Sequence, residues 1–249
     1  MTKPLSTLIA LFASLGLLIL PTDTSRADEF AGKTVQDHSM AMDLIAARAR
    51  LAPRQGEKAP DLSLEPMAGG KALPLSTYWK EKPLALFFGS ISCDASAEAA
   101  GEIRRLHQAY GADFQFLYIY IREAHPANGW EHGKGSRIVD PVTVLERQKA
   151  ADDMCTAREF PFPVLIDHLT DDAAIAYAAW PARCYLIDTS GIVHYAGHVG
   201  PWGFKPTRAT EPIEVLRPDL LPFAPKRNEI VSLEEILERF RNSPESADE

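Results

Sequence analysis

The hydrophobic and polar positions between residues 60 and 200 alternate between strand-like and helix-like periods. The apolar runs Leu84–Phe88, Phe114–Ile121 and Pro163–Ile166 have the length and the aromatic or β-branched content of buried strands. Between them, apolar residues recur at helical spacing over Ala95–Tyr110 and Val142–Thr156. This alternation predicts an α/β fold with a central sheet and helices on both of its faces.

Two hairpins are predicted to complete the sheet. Each has two short apolar segments around a turn: Asp61–Leu64 with Ala72–Leu75, and Cys184–Ile187 with Ile192–Tyr195. A helix is predicted over Asp171–Ala179, where acidic residues favour the helix start. In the Val142–Thr156 helix, we expect Val144, Leu145 and Met154 to face the core.

Helices are also predicted at both ends of this region. Val35–Leu51 is alanine-rich with a partly apolar face, and Thr34 is its candidate N-cap. Ser232–Phe240 has an apolar stripe and begins with a capping box of Ser232 and Glu235.

The first 27 residues have the pattern of a secretory signal peptide. Lys3 precedes the apolar segment Leu8–Leu20, and Ser25 and Ala27 supply small residues at a cleavage site. This segment is shorter than the about 20 residues that span a bilayer, so we predict a periplasmic or secreted protein, with an N-terminal membrane anchor as the alternative. The remaining divisions are a helical extension and linker (28–55), one domain (56–242) with a proline-rich excursion (206–225), and an acidic tail (243–249).

Charge and cysteine content exclude several classes of function. The net charge of -8, without a Lys/Arg cluster, disfavours nucleic acid and anionic lipid as partners. The three cysteines, Cys93, Cys155 and Cys184, cannot form a closed disulfide set. They include no Cys-x-x-Cys pair and no zinc-ligand spacing, so we expect neither a two-thiol centre nor a metal.

Cys93 is the principal candidate for chemistry because it lies between a predicted strand and a predicted helix. Unpaired amides and the dipole at a helix N-terminus favour a thiolate, which is the nucleophilic form of cysteine. Ser90 and Ser92 flank the turn, and their hydroxyls could hydrogen-bond a thiolate or a substrate, although turn formation alone also favours serine there.

Glu123 and His125 follow the next strand, so they should reach the same edge of the sheet as Cys93. A histidine there could stabilise the thiolate or carry a proton, and Glu123 could orient it. Two further cysteines, Cys155 and Cys184, are candidates to resolve an oxidised Cys93, with core packing as the alternative for both.

Four motifs in order resemble those of the iodothyronine deiodinases. Phe88–Cys93 resembles their selenocysteine motif with cysteine in place of selenocysteine, and Tyr120–Trp130 resembles their strand-plus-histidine motif. Tyr177–Ile187 and Tyr195–Trp202 are similar to the closing region of the family. Together the matches span roughly residues 60–206.

This resemblance implies a thioredoxin-like fold and a set of site residues. Cys93 would be the nucleophile, His125 the proton donor or orienting residue with Glu123 beside it, Pro181 a cis-proline facing the nucleophile, and Arg183 a family arginine. The family reaction removes iodine reductively from an aromatic ring. A small-molecule substrate and a thiol or thioredoxin-like reductant are therefore expected, without a bound cofactor, and a homodimer is left open.

Two other functions remain open at this point. A peroxiredoxin-like thiol peroxidase is suggested by Ser90, which lies three residues before Cys93, although Leu86 stands where a proline is expected. A thioredoxin-like binding module without catalysis is the third reading. The segment Asp94–Ser96 replaces the proline-rich, aromatic-bearing stretch that follows the nucleophile in the family, and the charge of Asp94 should oppose ionisation of Cys93.

Overall fold

A mixed sheet of seven strands forms the centre of the fold within residues 29–132, 137–206 and 232–242, which are the residues that the computed structural model describes. The strand order is β2-β1-β5-β4-β3-β6-β7. The strands are β1 (Ser63–Pro66), β2 (Leu73–Pro74), β3 (Leu84–Gly89), β4 (Gln115–Tyr120), β5 (Val164–Ile166), β6 (Arg183–Ile187) and β7 (Val193–Ala196). The helices are α1 (His38–Arg48, then a 3-10 turn Ala49–Leu51), α2 (Ser76–Trp79), α3 (Asp94–Tyr110), α4 (Val144–Arg158), α5 (Asp172–Ala176) and α6 (Leu233–Arg241).

The pairing of β3 determines where the chemistry-bearing turns lie. All six residues of β3 are buried, and the strand is parallel to β4 and antiparallel to β6. The register places Gly89 opposite Tyr120, so β3 and β4 end at the same edge of the sheet. The turns that carry Cys93 and His125 therefore leave the sheet side by side.

The predicted fold class is confirmed. Parallel β3 and β4 are connected through α3, β5 continues the parallel set beside β4, and the β6–β7 hairpin closes the other side. This is a thioredoxin-like arrangement. The predicted N-terminal hairpin is also present, and β1 joins it to the main sheet by antiparallel pairing with β5.

The boundaries of helices α1 and α5 differ from the prediction. Asp37 rather than Thr34 caps α1, because its side chain accepts a hydrogen bond from the Met40 amide, and the helix begins at His38. Asp171 lies outside α5 in the left-handed conformation, with φ 64°, and the helix ends at Ala176, two residues before Ala178 adopts φ 45°.

The predicted core face of α4 is wrong at its start. Val144 and Leu145 are exposed, at 45% and 76%, whereas Met154 is buried as predicted. The capping box of Thr143 and Glu146 fixes the start of the helix and turns a different face inward. That buried face consists of Arg147, Ala150, Ala151, Met154 and Arg158.

Some predicted segments lie outside the described residues, namely the signal peptide, residues 207–225 of the proline-rich excursion and the acidic tail. Ser232 caps α6 as predicted, accepting a hydrogen bond from the Glu235 amide. Among the residues that are described, no helix has the length and apolar character needed to cross a bilayer.

A buried ion cluster joins α1 to the segment after β4 and to the segment before α5. Asp171 accepts a hydrogen bond from Arg48 of α1 at 3.1 Å and forms an ion pair with Arg122, just after β4, at 2.6 Å. All three side chains are at most 2% exposed. Because both arginines depend on one carboxylate, α1 is tied to the domain through Asp171.

Candidate functional site

Cys93 occupies the N-cap position of α3, as its place between strand and helix predicted. Its carbonyl accepts from the Ala97 amide at 2.9 Å, and its own amide donates to the Ser90 carbonyl at 3.2 Å. The side chain caps no amide by hydrogen bonding, so the sulfur is held by the turn geometry and by packing.

The Cys93 thiol is buried, and this reverses the expected effect on its ionisation. Burial raises the pKa of Cys93 to about 11, because desolvation disfavours the thiolate. The backbone amides of Ser96 and Ala95 and the Arg158 charge lower the pKa, and Asp94 raises it, as its charge predicted. The helix N-terminus thus acts in the expected direction but does not offset burial, so the thiol is protonated in this conformation.

Glu123 connects the turn of Cys93 to the end of β4. Its carboxylate accepts from the Ser92 amide at 3.1 Å, from the Ser92 hydroxyl at 2.5 Å and from the Tyr120 hydroxyl. Burial raises the pKa of Glu123, while the hydrogen bonds from Ser92 and Tyr120 lower it. A completely buried carboxyl group with three donors is a structural hub that also lies beside the candidate nucleophile.

Ser92 and Ser90 hold the two turns together. The Ser92 hydroxyl accepts from the Ala124 and His125 amides, both at 3.1 Å, while it donates to Glu123. The Ser90 hydroxyl accepts from the Ala124 amide at 3.2 Å. Both predicted serines therefore bind the backbone that follows β4. The Cys93 turn and the segment Glu123–His125 thus form one hydrogen-bonded unit.

His125 lies in this unit, but no hydrogen bond joins its ring to the Cys93 sulfur. The ring packs against Trp130 with centroids 4.6 Å apart and against His132 at 5.4 Å. Burial lowers the pKa of His125, and a hydrogen bond with the Trp130 backbone raises it. Its Nδ1 atom is buried without a hydrogen-bond partner. The structure thus links His125 to the Cys93 turn through the hydrogen bond from its amide to the Ser92 hydroxyl.

Pro181 and Arg183 follow in the closing region. The Trp180–Pro181 peptide is cis, as the resemblance implied, and the Trp180 indole donates to the Glu123 carbonyl at 3.2 Å. Arg183 donates instead to the carbonyls of Gly197 at 2.6 Å and Ala178 at 3.1 Å. Its described hydrogen bonds therefore support the loops around β6 rather than the Cys93 turn.

The two candidate resolving cysteines are both free thiols, as is Cys93. Cys184 is fully buried in β6 opposite Phe87 of β3, and burial raises the pKa of this thiol to about 12. Cys155 is partly exposed on α4 and donates to the Met67 sulfur at 3.5 Å. Packing accounts for Cys184 in this structure, and the resolving role stays a prediction for both.

Sequence reasoning missed a second group behind the Cys93 turn, formed by Ser96, Tyr118 and Arg158. The hydroxyls of Ser96 and Tyr118 share a short hydrogen bond, and Arg158 at the end of α4 donates to Ser96. Two tyrosines at alternate positions of a buried strand, Tyr118 and Tyr120, are a usable signal, because buried tyrosine hydroxyls need partners. The sequence gives no such signal for Arg158, which lies on a later helix.

This second group predicts a steric effect at Gly89. A Cβ atom there would lie 2.3 Å from the Tyr118 hydroxyl and 2.5 Å from Ser96 Oγ. We expect Gly89→Ala to lower the free energy of unfolding by about 1–3 kcal/mol, as overpacking does. Gly101→Ala is the matched control, since nothing lies within 4 Å of its Cβ and alanine stabilises a helix interior. Urea denaturation of both variants tests this, and equal stabilities would contradict the packing described.

Comparison with known proteins supports the resemblance to the iodothyronine deiodinases. A family model described as iodothyronine deiodinase matches residues 22–216. The type I iodothyronine deiodinase of Xenopus laevis is 33% identical over 134 residues, covering 53% of this chain and 52% of that protein. The thyroxine 5-deiodinase of Homo sapiens is 32% identical over 124 residues, covering 50% of this chain and 40% of that protein. The chain thus spans about half the length of the curated relatives it matches.

A solved structure described as a putative thiol:disulfide interchange protein DsbE from Chlorobium tepidum is 20% identical, with a TM-score of 0.46, over 69% of this chain and 99% of that one.

The sheet topology and the family match define a protein of the thioredoxin-like fold class. More specifically, the chain belongs to the iodothyronine deiodinase family, because the family model covers well over half of its length.

Proposed function

We propose that the protein is a thiol-dependent oxidoreductase that removes iodine reductively from an iodinated aromatic compound. The observation that carries this proposal is the hydrogen bonding of Ser92, which joins the Cys93 turn to Glu123 and His125 within a deiodinase-family chain. In this assignment Cys93 is the nucleophile and His125 is the proton donor. Glu123, Ser90 and Ser92 position them, and Pro181 and Arg183 shape the surrounding loops.

The proposed reaction balances with two equivalents of thiol. The Cys93 thiolate attacks iodine, the carbon–iodine bond breaks, and the aromatic carbon takes a proton delivered by His125. Cys93 then carries a sulfenyl iodide. A reductant thiol displaces iodide to give a mixed disulfide, and a second thiol releases Cys93 and forms the oxidised reductant. The net change converts one aryl iodide and two thiols into an arene, a disulfide and hydrogen iodide.

Activation of Cys93 has to accompany substrate binding in this scheme. Since burial raises the pKa of the thiol to about 11, only a small fraction is ionised near neutral pH. The lowered pKa of His125 leaves its ring neutral before the reaction. The ring therefore first takes the proton that the Cys93 thiol loses and then, as imidazolium, delivers it to the aromatic carbon. A thiol or thioredoxin-like protein is the proposed reductant. Export to the periplasm, or secretion, is proposed on the basis of the first 27 residues alone.

The proposal is tested by incubating the purified chain with dithiothreitol and either an iodinated phenol or hydrogen peroxide. We expect iodide release with two thiols oxidised per iodide, and slower thiol oxidation with peroxide. Rapid peroxide consumption without iodide release would instead favour the thiol peroxidase. Reaction with neither compound would favour the non-catalytic binding module.

A further inference from the structure

Arg158 is a buried cation for which the described part of the chain provides no carboxylate partner. Arg158 is the last residue of α4 and is only 5% exposed. One guanidinium nitrogen donates to the carbonyls of Ser90 at 2.8 Å and Ile91 at 3.2 Å. The other donates to Ser96 Oγ and, at 3.5 Å, to the Tyr118 hydroxyl. All of these acceptors are neutral, which is unusual because a buried charge is normally paired.

The acceptors of Arg158 surround Cys93 in the sequence and in the fold. Ser90 and Ile91 form the turn that precedes the cysteine, and Ser96 lies in the first turn of α3. A guanidinium that binds two successive carbonyls fixes the path of that turn. The same group is close enough to Cys93 to favour its ionised form electrostatically.

The other ionisable groups around the thiol do not supply a positive charge. Asp94 of α3 opposes ionisation of Cys93, and Tyr118 of β4 is a neutral hydroxyl whose pKa burial raises to about 12. Tyr120 and Glu123 share a short hydrogen bond and are connected to the Cys93 turn through Ser92, and neither of them is a cation. Among the described groups that act on Cys93, Arg158 is thus the cation available to balance a thiolate.

We propose that Arg158 is a positioning residue for Cys93, which holds the Ser90–Ile91 turn and supplies the buried positive charge that balances the thiolate. This role rests on the proposed function, in which Cys93 reacts as a thiolate. When Cys93 loses its proton to solvent buffer, the new anion becomes the counter-ion that the buried guanidinium otherwise lacks. The pair then forms without moving the turn, because Arg158 is already bound to it.

The test measures the rate at which iodoacetamide alkylates Cys93 as a function of pH, followed by mass spectrometry of the Cys93 peptide in the full chain. The thiolate displaces iodide from the reagent, so the profile reports ionisation. We expect Arg158→Gln to slow alkylation of Cys93 about tenfold or more at each pH below the wild-type pKa, because loss of a neighbouring opposite charge raises a pKa by about one unit or more. Arg158→Lys keeps the charge and should slow alkylation less.

Arg147→Gln is the matched control, because Arg147 is also a buried arginine of α4 that donates to backbone carbonyls, those of Asp167 and His168. Its profile should match the wild type. An unaltered profile in folded Arg158→Gln, or an equal displacement in Arg147→Gln, would overturn the proposal.

A second comparison does not require Arg158 to be replaced. Asp and Asn are equally good N-cap residues, so Cys93→Asp and Cys93→Asn differ mainly in charge beside Arg158. With a buried cation awaiting an anion, Cys93→Asp should melt at the same temperature as Cys93→Asn or higher. A clearly lower melting temperature for Cys93→Asp would contradict the assignment, since an unpaired buried carboxylate is strongly destabilising. Neither measurement uses an aryl iodide, so deiodination of an aromatic compound can fail without affecting these results, and the reverse also holds.

Discussion

Replacement of Cys93 by serine is expected to reduce iodide release by about a thousandfold or more, as loss of a covalent nucleophile does in other enzymes. A serine hydroxyl ionises far less readily than a thiol and does not accept a halogen as sulfur does. The substitution exchanges the sulfur atom for an oxygen atom at a buried N-cap position, where serine is itself a preferred residue. The fold should therefore persist, so a lost activity can be attributed to chemistry.

The matched control is Cys155→Ser. Cys155 is partly exposed on α4 and contacts the Met67 sulfur rather than the Cys93 turn. Its serine variant should keep close to the wild-type rate of iodide release, because excess dithiothreitol reduces an oxidised Cys93 directly and makes a resolving cysteine unnecessary in this assay. A Cys93→Ser protein that is folded and still releases iodide at the wild-type rate would remove Cys93 from the mechanism. Iodide-selective electrode measurements with dithiothreitol as reductant give both rates.

Replacement of Asp171 by asparagine is expected to lower the free energy of unfolding by about 3–5 kcal/mol, because removing one partner of a buried ion pair leaves uncompensated charge. Two arginines, Arg48 and Arg122, bind this one carboxylate, and all three side chains are almost inaccessible. Asparagine suits the experiment because it tolerates the left-handed backbone of residue 171, with φ 64°. The change therefore removes charge without adding backbone strain.

Asp172→Asn is the control for the neighbouring carboxylate. Asp172 is 43% exposed and pairs with His168 at 2.7 Å, so screening by solvent limits its contribution to less than about 1 kcal/mol. Urea denaturation with a shared m-value gives both stabilities. If Asp171→Asn were no less stable than Asp172→Asn, the ion cluster would not anchor α1. A loss confined to α1 would appear as selective hydrogen exchange in residues 38–48.

The order of strands and helices could be predicted from the sequence because periodicity is a local property. The parallel β3 and β4 strands, the hairpin β6–β7 and the N-cap position of Cys93 all follow from short windows of residues. The sequence also predicts that Ser92 and Glu123 lie at the same edge of the sheet, because each follows the end of one of two neighbouring strands. Their hydrogen bond agrees with this.

The burial of Cys93 and the partners of Asp171 could not be predicted in the same way. A local window suggests that an acidic residue favours a helix start, but Asp171 is instead fixed by arginines 123 and 49 positions before it, a long-range relation. The ionisation of Cys93 depends on the sum of desolvation, helix amides and the Arg158 charge. The position of Cys93 before a helix gives the direction of the effect of the helix amides on its pKa. The net change in the pKa is decided by tertiary packing.

The two edge strands of the described sheet affect the tendency of the protein to aggregate at high concentration. On one side the sheet ends with β2, which has only two residues. On the other it ends with β7, where Val193 exchanges backbone hydrogen bonds with Gly56 at 2.8 Å and with Glu57 at 2.9 Å, so a neighbouring segment flanks this edge. Short or flanked margins are poor templates for strand addition by another chain. The described fold therefore offers little opportunity for the intermolecular sheet growth that leads to aggregation.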